Sequence, residues 1–327
     1  MQLFVYGDLV IDVCLRIDRW AGAGSDAIVN AAALLPGGSA ANCAAVAARL
    51  GASVAFIGVV GRDALGQSAI DDLRKAGVDT RWLHQVEQTT GVVVAVIDDA
   101  GEHTFLSYRG ANDSLLTDDR LPASFHADDY LHLSGYSFQT EASRMVALRL
   151  LAKARAGGAR ISLDPSFHFA GSPDARNLLA DLDFFFPNWT EARQLTQADT
   201  PQTAAAFLRA HGVDTVVIKL GADGCYLDSP DEQRLIPAYP AAHIVDTVGA
   251  GDAFCGGFLT AVGWGLPPVQ AAHLGHAAAA RVITQAGGHV GAPTLAGAIE
   301  WMRANGDSDL ASRLTAYVRY DQPKTSP

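Results

Sequence analysis

Short apolar runs alternate with helix-forming stretches along most of this chain, and that alternation is the strongest constraint on what it can fold into. Residues 3–6, 53–61, 130–134, 161–163, 183–186 and 215–219 are predominantly apolar, as strands buried on both faces are. Helix-forming stretches at about 67–76 and 145–156 separate some of them. A strand–helix–strand succession calls for a parallel sheet with right-handed crossovers, which makes the fold class α/β. Two stretches break the pattern. Residues 15–36, with Gly22, Gly24 and Ser25, read as a small hairpin-like excursion, and 91–97 with 103–108 read as an antiparallel hairpin around Asp98-Asp99-Ala100-Gly101-Glu102. At 327 residues, 49% hydrophobic and 18% charged, the chain can bury a sizeable core, as one large domain with an insertion or as two domains.

The stretch richest in chemistry is Asp246-Thr247-Val248-Gly249-Ala250-Gly251-Asp252, followed by an apolar helical run over 253–262. Free N–H groups at a helix N-terminus form an anion site, and glycine lets the backbone approach a ligand. A carboxylate placed there is either a helix cap or a base. A base beside an anion site suits transfer of a phosphoryl group, with Asp252 taking the proton of the attacking hydroxyl. The net charge of −11, with no basic run, argues against nucleic acid and anionic membranes as partners. Cys14, Cys43, Cys225 and Cys255 lie far apart without metal or disulfide spacing. The chain opens on a strand-like run without a basic leader, and no apolar run approaches a membrane span, so a cytoplasmic location is expected.

The Asp246–Asp252 stretch resembles the second signature, D-T-x-G-A-G-D, of the ribokinase-like (PfkB) family of carbohydrate kinases. Gly37-Gly38-Ser39-Ala40-Ala41-Asn42 is similar to its first signature, G-G-x-x-x-N, and the resemblance runs over about residues 3–302 in order. It implies a three-layer α/β/α fold with a mostly parallel sheet. It also implies a small β lid from about 13–36 and 89–110, within one kinase domain over 1–306. The tail at 307–327 has no assignment. The implied reaction is transfer of the ATP γ-phosphoryl group to a sugar hydroxyl, expected to be a primary alcohol. Gly249, Ala250 and Gly251 would supply the anion site and Asp252 the base.

The same resemblance assigns the remaining candidates. Asp12, with Asp8 as the lesser candidate, would hold sugar hydroxyls; Asp12 could equally cap a turn. Gly37 and Gly38 would admit the sugar backbone-first and Asn42 would bind its hydroxyls, whereas glycines before a helix are otherwise a loose cap. Asn188 and Glu191 fit the N-x-x-E motif that positions Mg2+ through water, and also fit a capping box. Lys219, Gly221 and Gly224 would lie beside the nucleotide, or form a hairpin turn. His276 would contact adenine, or be a core or surface histidine. Asp246, Val248, Gly287 and Gly291 mark a possible K+ loop. Tyr108-Arg109 is similar to a pair in kinases of 2-keto-3-deoxy sugar acids, where the arginine meets a carboxylate; the alternative for Arg109 is a solvated lid residue. A nucleoside is the competing substrate, and a homodimer through the lid is the candidate assembly. No G-x-x-x-x-G-K-[ST] occurs and no G-x-G-x-x-G follows the first strand, which disfavours a P-loop enzyme and a nicotinamide-dependent oxidoreductase. A catalytically dead binder on the same fold would have no need of Asp252.

Overall fold

The computed structural model describes residues 1–22, 24–98, 103–241 and 243–318. The chain enters the core at once through β1 (Leu3–Tyr6), then leaves it as the antiparallel pair β2 (Val10–Ile17) and β3 (Val29–Gly37). The alanine-rich α1 (Ser39–Arg49) leads back to β4 (Val54–Gly61), every residue of which is buried. Next come α2 (Ala64–Lys75), β5 (Asp79–Val86), and the antiparallel pair β6 (Gly91–Ile97) and β7 (His103–Tyr108). A regular succession then follows: β8 (Tyr130–Ser134), α3 (Glu141–Ala156), β9 (Arg160–Asp164), the short α4 (Phe167–Ala170) and α5 (Pro173–Asn177), β10 (Phe184–Phe185), α6 (Trp189–Thr196), α7 (Pro201–Ala210) and β11 (Thr215–Lys219). The hairpin strands β12 (Cys225–Asp228) and β13 (Gln233–Ile236) precede four helices, α8 (Ala250–Gly263), α9 (Pro268–Val282), α10 (Leu295–Ala304) and α11 (Ser308–Val318).

Nine strands form one sheet in the order β13-β12-β11-β10-β9-β8-β1-β4-β5, parallel from β11 to β5 and antiparallel at the β12 and β13 edge. Successive strand residues point to opposite faces. Leu3, Val5, Phe56 and Val217 thus join a core with α1, α2 and α8 to α11, while Tyr6, Ile57, Val216 and Ile218 join a second core with α3, α6 and α7. These are the three layers. From β1 the chain runs to β4 on one side and later to β8 on the other. That reversal is where open α/β sheets hold ligands, at the carboxyl ends of the strands.

β2, β3, β6 and β7 form a separate four-stranded sheet, β3-β2-β6-β7, with β2 and β6 parallel. It comprises the two segments expected as a lid, beginning at Val10 rather than 13; residues 99–102 of the second turn lie outside the described residues. Alternate lid residues (Val10, Asp12 and Cys14 on β2, Val93, Ala95 and Ile97 on β6) face one cavity beneath the sheet. Beyond residue 306, α11 buries Leu310, Ala311 and Leu314 in the first core and stacks Tyr317 on Trp264 at 4.7 Å. The stretch without a sequence assignment is therefore continuous with the domain as far as 318.

Candidate active site

The N-terminus of α8 opens into a cavity of about 700 Å³ between the lid and the strand ends. Gly249 precedes the helix at φ 79, in the left-handed region, and a Cβ there would sit 2.0 Å from the carbonyl oxygen of Gly288. Glycine is thus required on two counts. No side chain caps α8; Ala250 N donates to Thr247 O at 3.3 Å, which leaves the N–H groups that follow it in the first turn to an anion. Asp252 is the third helical residue, and its carboxylate turns away from its own helix: Oδ1 accepts from Ser39 Oγ at 2.8 Å and Oδ2 accepts from Asn42 Nδ2 at 2.8 Å. This is not a cap. Burial, followed by the charge of Asp164, pushes the Asp252 pKa up to about 6, and the two hydrogen bonds and Lys219 restrain it.

On the lid side, Asp12 reaches the same cavity from β2. Gly37 on the paired strand leaves room for it, because a Cβ there would lie 2.2 Å from Asp12 Oδ2. Gly38 lines the cavity beside it. Burial raises the Asp12 pKa to about 6, with Asp252 adding to the rise and His289 opposing it. At the floor, Lys219 Nζ donates to both oxygens of Asp164 at 2.7 Å. Burial alone would lower the Lys219 pKa, but Asp164 reverses this and keeps the ammonium charged. The ammonium sits close to Gly251, 3.1 Å from where a Cβ would be. Glu191 completes the ring of carboxylates; it caps α6 reciprocally with Asn188, at 2.8 and 2.9 Å, and lines the cavity as well. A second cavity of about 460 Å³ continues from Asn188 and Lys219 to Gly221 and Asp223 in the β11–β12 turn, with Gly224 ending that turn.

A family model described as pfkB family carbohydrate kinase matches residues 1–295. The chain belongs to that family. This kinase is 31% identical to a ribokinase of Haemophilus influenzae, over 81% of this chain and 87% of that one. It is 30% identical to a 2-dehydro-3-deoxygluconokinase of Bacillus subtilis, over 79% and 83%. A structure of Arabidopsis thaliana ribokinase with ribose and ATP superposes with a TM-score of 0.81 at 26% identity, covering 92% of this chain and 98% of that one. The kinase is accordingly an ATP-dependent carbohydrate phosphotransferase with an alcohol acceptor.

Several residues of the kinase sit differently from expectation. Arg109 is neither a solvated lid residue nor a fork open to a substrate. Its side chain is 14% exposed, and NH1 and NH2 donate to the two oxygens of Asp8 at 2.6 and 2.9 Å, Nε to Asp113 at 2.6 Å and NH1 also to Gln139. Asp8, the lesser sugar candidate, is engaged by the same pair. Asn42 lines the cavity, but its amide is held by Asp252 on one side and by His289 on the other, at 2.8 Å each. His276 is 5% exposed with its ring 4.9 Å from Phe254, which makes it a core histidine whose pKa burial lowers to about 4. In the candidate cation loop, Asp246 accepts from Val248 N at 3.0 Å and from Gly287 N at 3.2 Å. Gly291 backs onto the carbonyls of Arg281 and Val282. Among the described residues no cluster of three or more His, Cys, Asp or Glu side chains could hold a metal. Sequence alone assigns no role to Ser39 or His289, and marks Asp164 only by its place at the carboxyl end of a strand, where open α/β sheets hold ligands. Ser39 lies inside the first signature and was open to inspection; the partners of His289 are distant in sequence.

Proposed function

We propose that this kinase phosphorylates a primary hydroxyl of a small neutral carbohydrate, with Asp252 as general base. The observation that carries this reading is the Asp252 carboxylate, anchored by Ser39 and Asn42 beside the uncapped N-terminus of α8. Asp252 would take the hydroxyl proton while the N–H groups after Gly249 hold the transferring phosphoryl oxygens. The Lys219 ammonium, beside Gly251, adds positive charge to the same place. Asp12 would orient sugar hydroxyls, and the lid sheet would exclude water that competes for the phosphoryl group. The triphosphate would run past Lys219 and Asn188 towards Gly221 and Gly224, in the second cavity.

Glu191 is the carboxylate that would hold Mg2+ through water. Burial raises its pKa to about 7; Lys219 opposes the rise and Asp164 adds to it, a crowding of carboxylates that a divalent cation relieves. When bound, the ion neutralises phosphate charge. Backbone around Asp246, Val248, Gly287 and Gly291 is the candidate for K+. A cytoplasmic setting suits this chemistry, and among the described residues no helix is long and apolar enough to cross a membrane.

Charge favours a neutral acceptor. Asp8, Asp12, Asp164, Glu191 and Asp252 all line the cavity, and its two cations, Arg109 and Lys219, are already paired with Asp8 and Asp164. A sugar acid would bring a further carboxylate against these. A nucleoside is the second reading, favoured by Tyr136 and Phe167, which line the cavity at 43% and 56% exposure and offer faces for a base. ADP release would be measured with Mg2+ against pentoses, ketohexoses, nucleosides and 2-keto-3-deoxy acids. Neutral acceptors are expected to exceed acids by about 10² in kcat/KM, since like charges in a desolvated site cost several kcal/mol. An acid as best substrate would overturn the neutral-sugar reading.

The outer lid suits a second copy of the chain. Ile28 is 80% exposed and Leu34 and Leu106 are 66% and 58% exposed, a concentration of apolar side chains that usually marks an interface. Sedimentation velocity should show a dimer for the wild type and a monomer for Leu34→Lys. A monomeric wild type at micromolar concentration would remove the lid interface.

A further inference from the structure

Asn42 can support Asp252 only in one of its two amide orientations. An ionised carboxylate accepts hydrogen bonds and cannot donate them, so Nδ2 of Asn42 must face Asp252, as it does at 2.8 Å. Oδ1 is then turned inward, where His289 Nδ1 lies 2.8 Å away. The other ring nitrogen, Nε2, is 2.7 Å from Asp72 Oδ2 on α2. Both Asn42 and His289 are buried, at 3% and 5% exposure, whereas the Asp72 side chain is 34% exposed. Both ring neighbours are acceptors, so with hydrogen on both ring nitrogens, as these two partners require, a continuous chain of hydrogen bonds runs from Asp72 through His289 and Asn42 to Asp252.

The loop carrying His289 touches the site at two further points. Gly288 packs its backbone against Gly249, and Gly287 N donates to Asp246, which also binds Val248 N. The imidazole is thus on a loop that contacts both the turn before α8 and the asparagine that binds Asp252.

We propose that His289 is a positioning residue for the phosphoryl transfer: by donating to Asn42 Oδ1, and being held by Asp72, it fixes the amide so that its N–H faces Asp252. This rests on Asp252 being the base. With the donor removed, the amide is free to turn, and its oxygen would then oppose the carboxylate. The loss falls on the chemical step and not on nucleotide binding, because the side-chain hydrogen bonds of Lys219 go to Asp164 and not to a link of this chain.

His289→Leu, which fills the space without a donor, is expected to lower kcat by about 10- to 100-fold, the usual cost of removing a hydrogen-bonded supporter of a reacting group. KM for ATP should stay within about twofold. His289→Gln can still donate to Asn42 Oδ1 and should restore kcat to within a few-fold of wild type. Asp72→Ala, at the partly exposed end, should lower kcat several-fold alone and add little in the His289→Leu background. The inference is overturned if His289→Leu and Asp72→Ala both keep full kcat, or if the Leu and Gln variants lose activity equally and in step with Tm. Should the Leu variant fail to fold, the Asp72→Ala and His289→Gln results decide between the same outcomes. Asp252→Asn measured alongside separates the two claims. Full turnover in that variant sinks the base itself; loss of turnover there, with full kcat in His289→Leu, sinks only the role of His289.

Discussion

Asp252→Asn should lower kcat by about 10²–10⁴, the usual worth of a general base, while ATP affinity is unchanged. Asparagine keeps the shape of the side chain and removes the proton acceptor, and the N–H groups after Gly249 remain to bind phosphate. The pH profile gives an independent reading. Burial and the neighbouring Asp164 raise the Asp252 pKa to about 6, so the anion that catalysis needs is present above that value and is lost below it. Wild-type kcat/KM is therefore expected to fall about tenfold per pH unit below pH 6. A profile flat down to pH 5, or a variant with full turnover, would take the proton transfer away from Asp252. The sign for stability is opposite. A carboxyl with a raised folded-state pKa contributes stability below about pH 4 that is lost as pH rises through about 6, so the form that reacts is the form that folding disfavours.

Gly249→Ala should be nearly as damaging. The added Cβ would stand 2.0 Å from the Gly288 carbonyl oxygen, at a backbone φ of 79. A left-handed conformation costs an ordinary residue about 1–2 kcal/mol, and the clash must in addition push the Gly288 loop or the helix start aside. Either movement displaces the N–H groups proposed to hold the phosphoryl oxygens, and loss of one such donor typically costs about 10²–10³ in kcat. The expected result is a loss of that size with a lower Tm. Unchanged kcat would mean that the first turn of α8 does not hold the transferring group. Gly265→Ala is the natural control: Gly265 is also left-handed, at φ 83, but nothing lies within 4 Å of its Cβ position, and it lines neither cavity.

The sequence made the interior of this molecule readable wherever burial imposed a pattern. β1, β4, β8, β9 and β11 are runs with both faces in the core, and they are apolar for that reason. β5 was not singled out: it is an edge strand, and Asp79-Thr-Arg-Trp-Leu-His-Gln-Val86 mixes polar and apolar side chains because most of it is only half-buried. The helix start with its glycines and carboxylate was legible because the three are contiguous in sequence. The partners of these groups were not. Arg109 meets Asp8 across 101 positions, and His289 meets Asn42 across 247. Local reading therefore left Arg109 open to a substrate carboxylate and Asn42 open to a sugar. Asn188 and Glu191 show the reverse case, since the capping box and the cavity wall are the same two residues.

The most direct test of the central claim is the stoichiometry of products formed by the wild-type kinase with ATP, Mg2+ and its best neutral acceptor. Sugar phosphate, identified by mass spectrometry, and ADP should form in equal amounts, with negligible ADP when the sugar is left out. ADP released without a phosphorylated sugar, or no nucleotide turnover with any hydroxyl acceptor, would contradict the account.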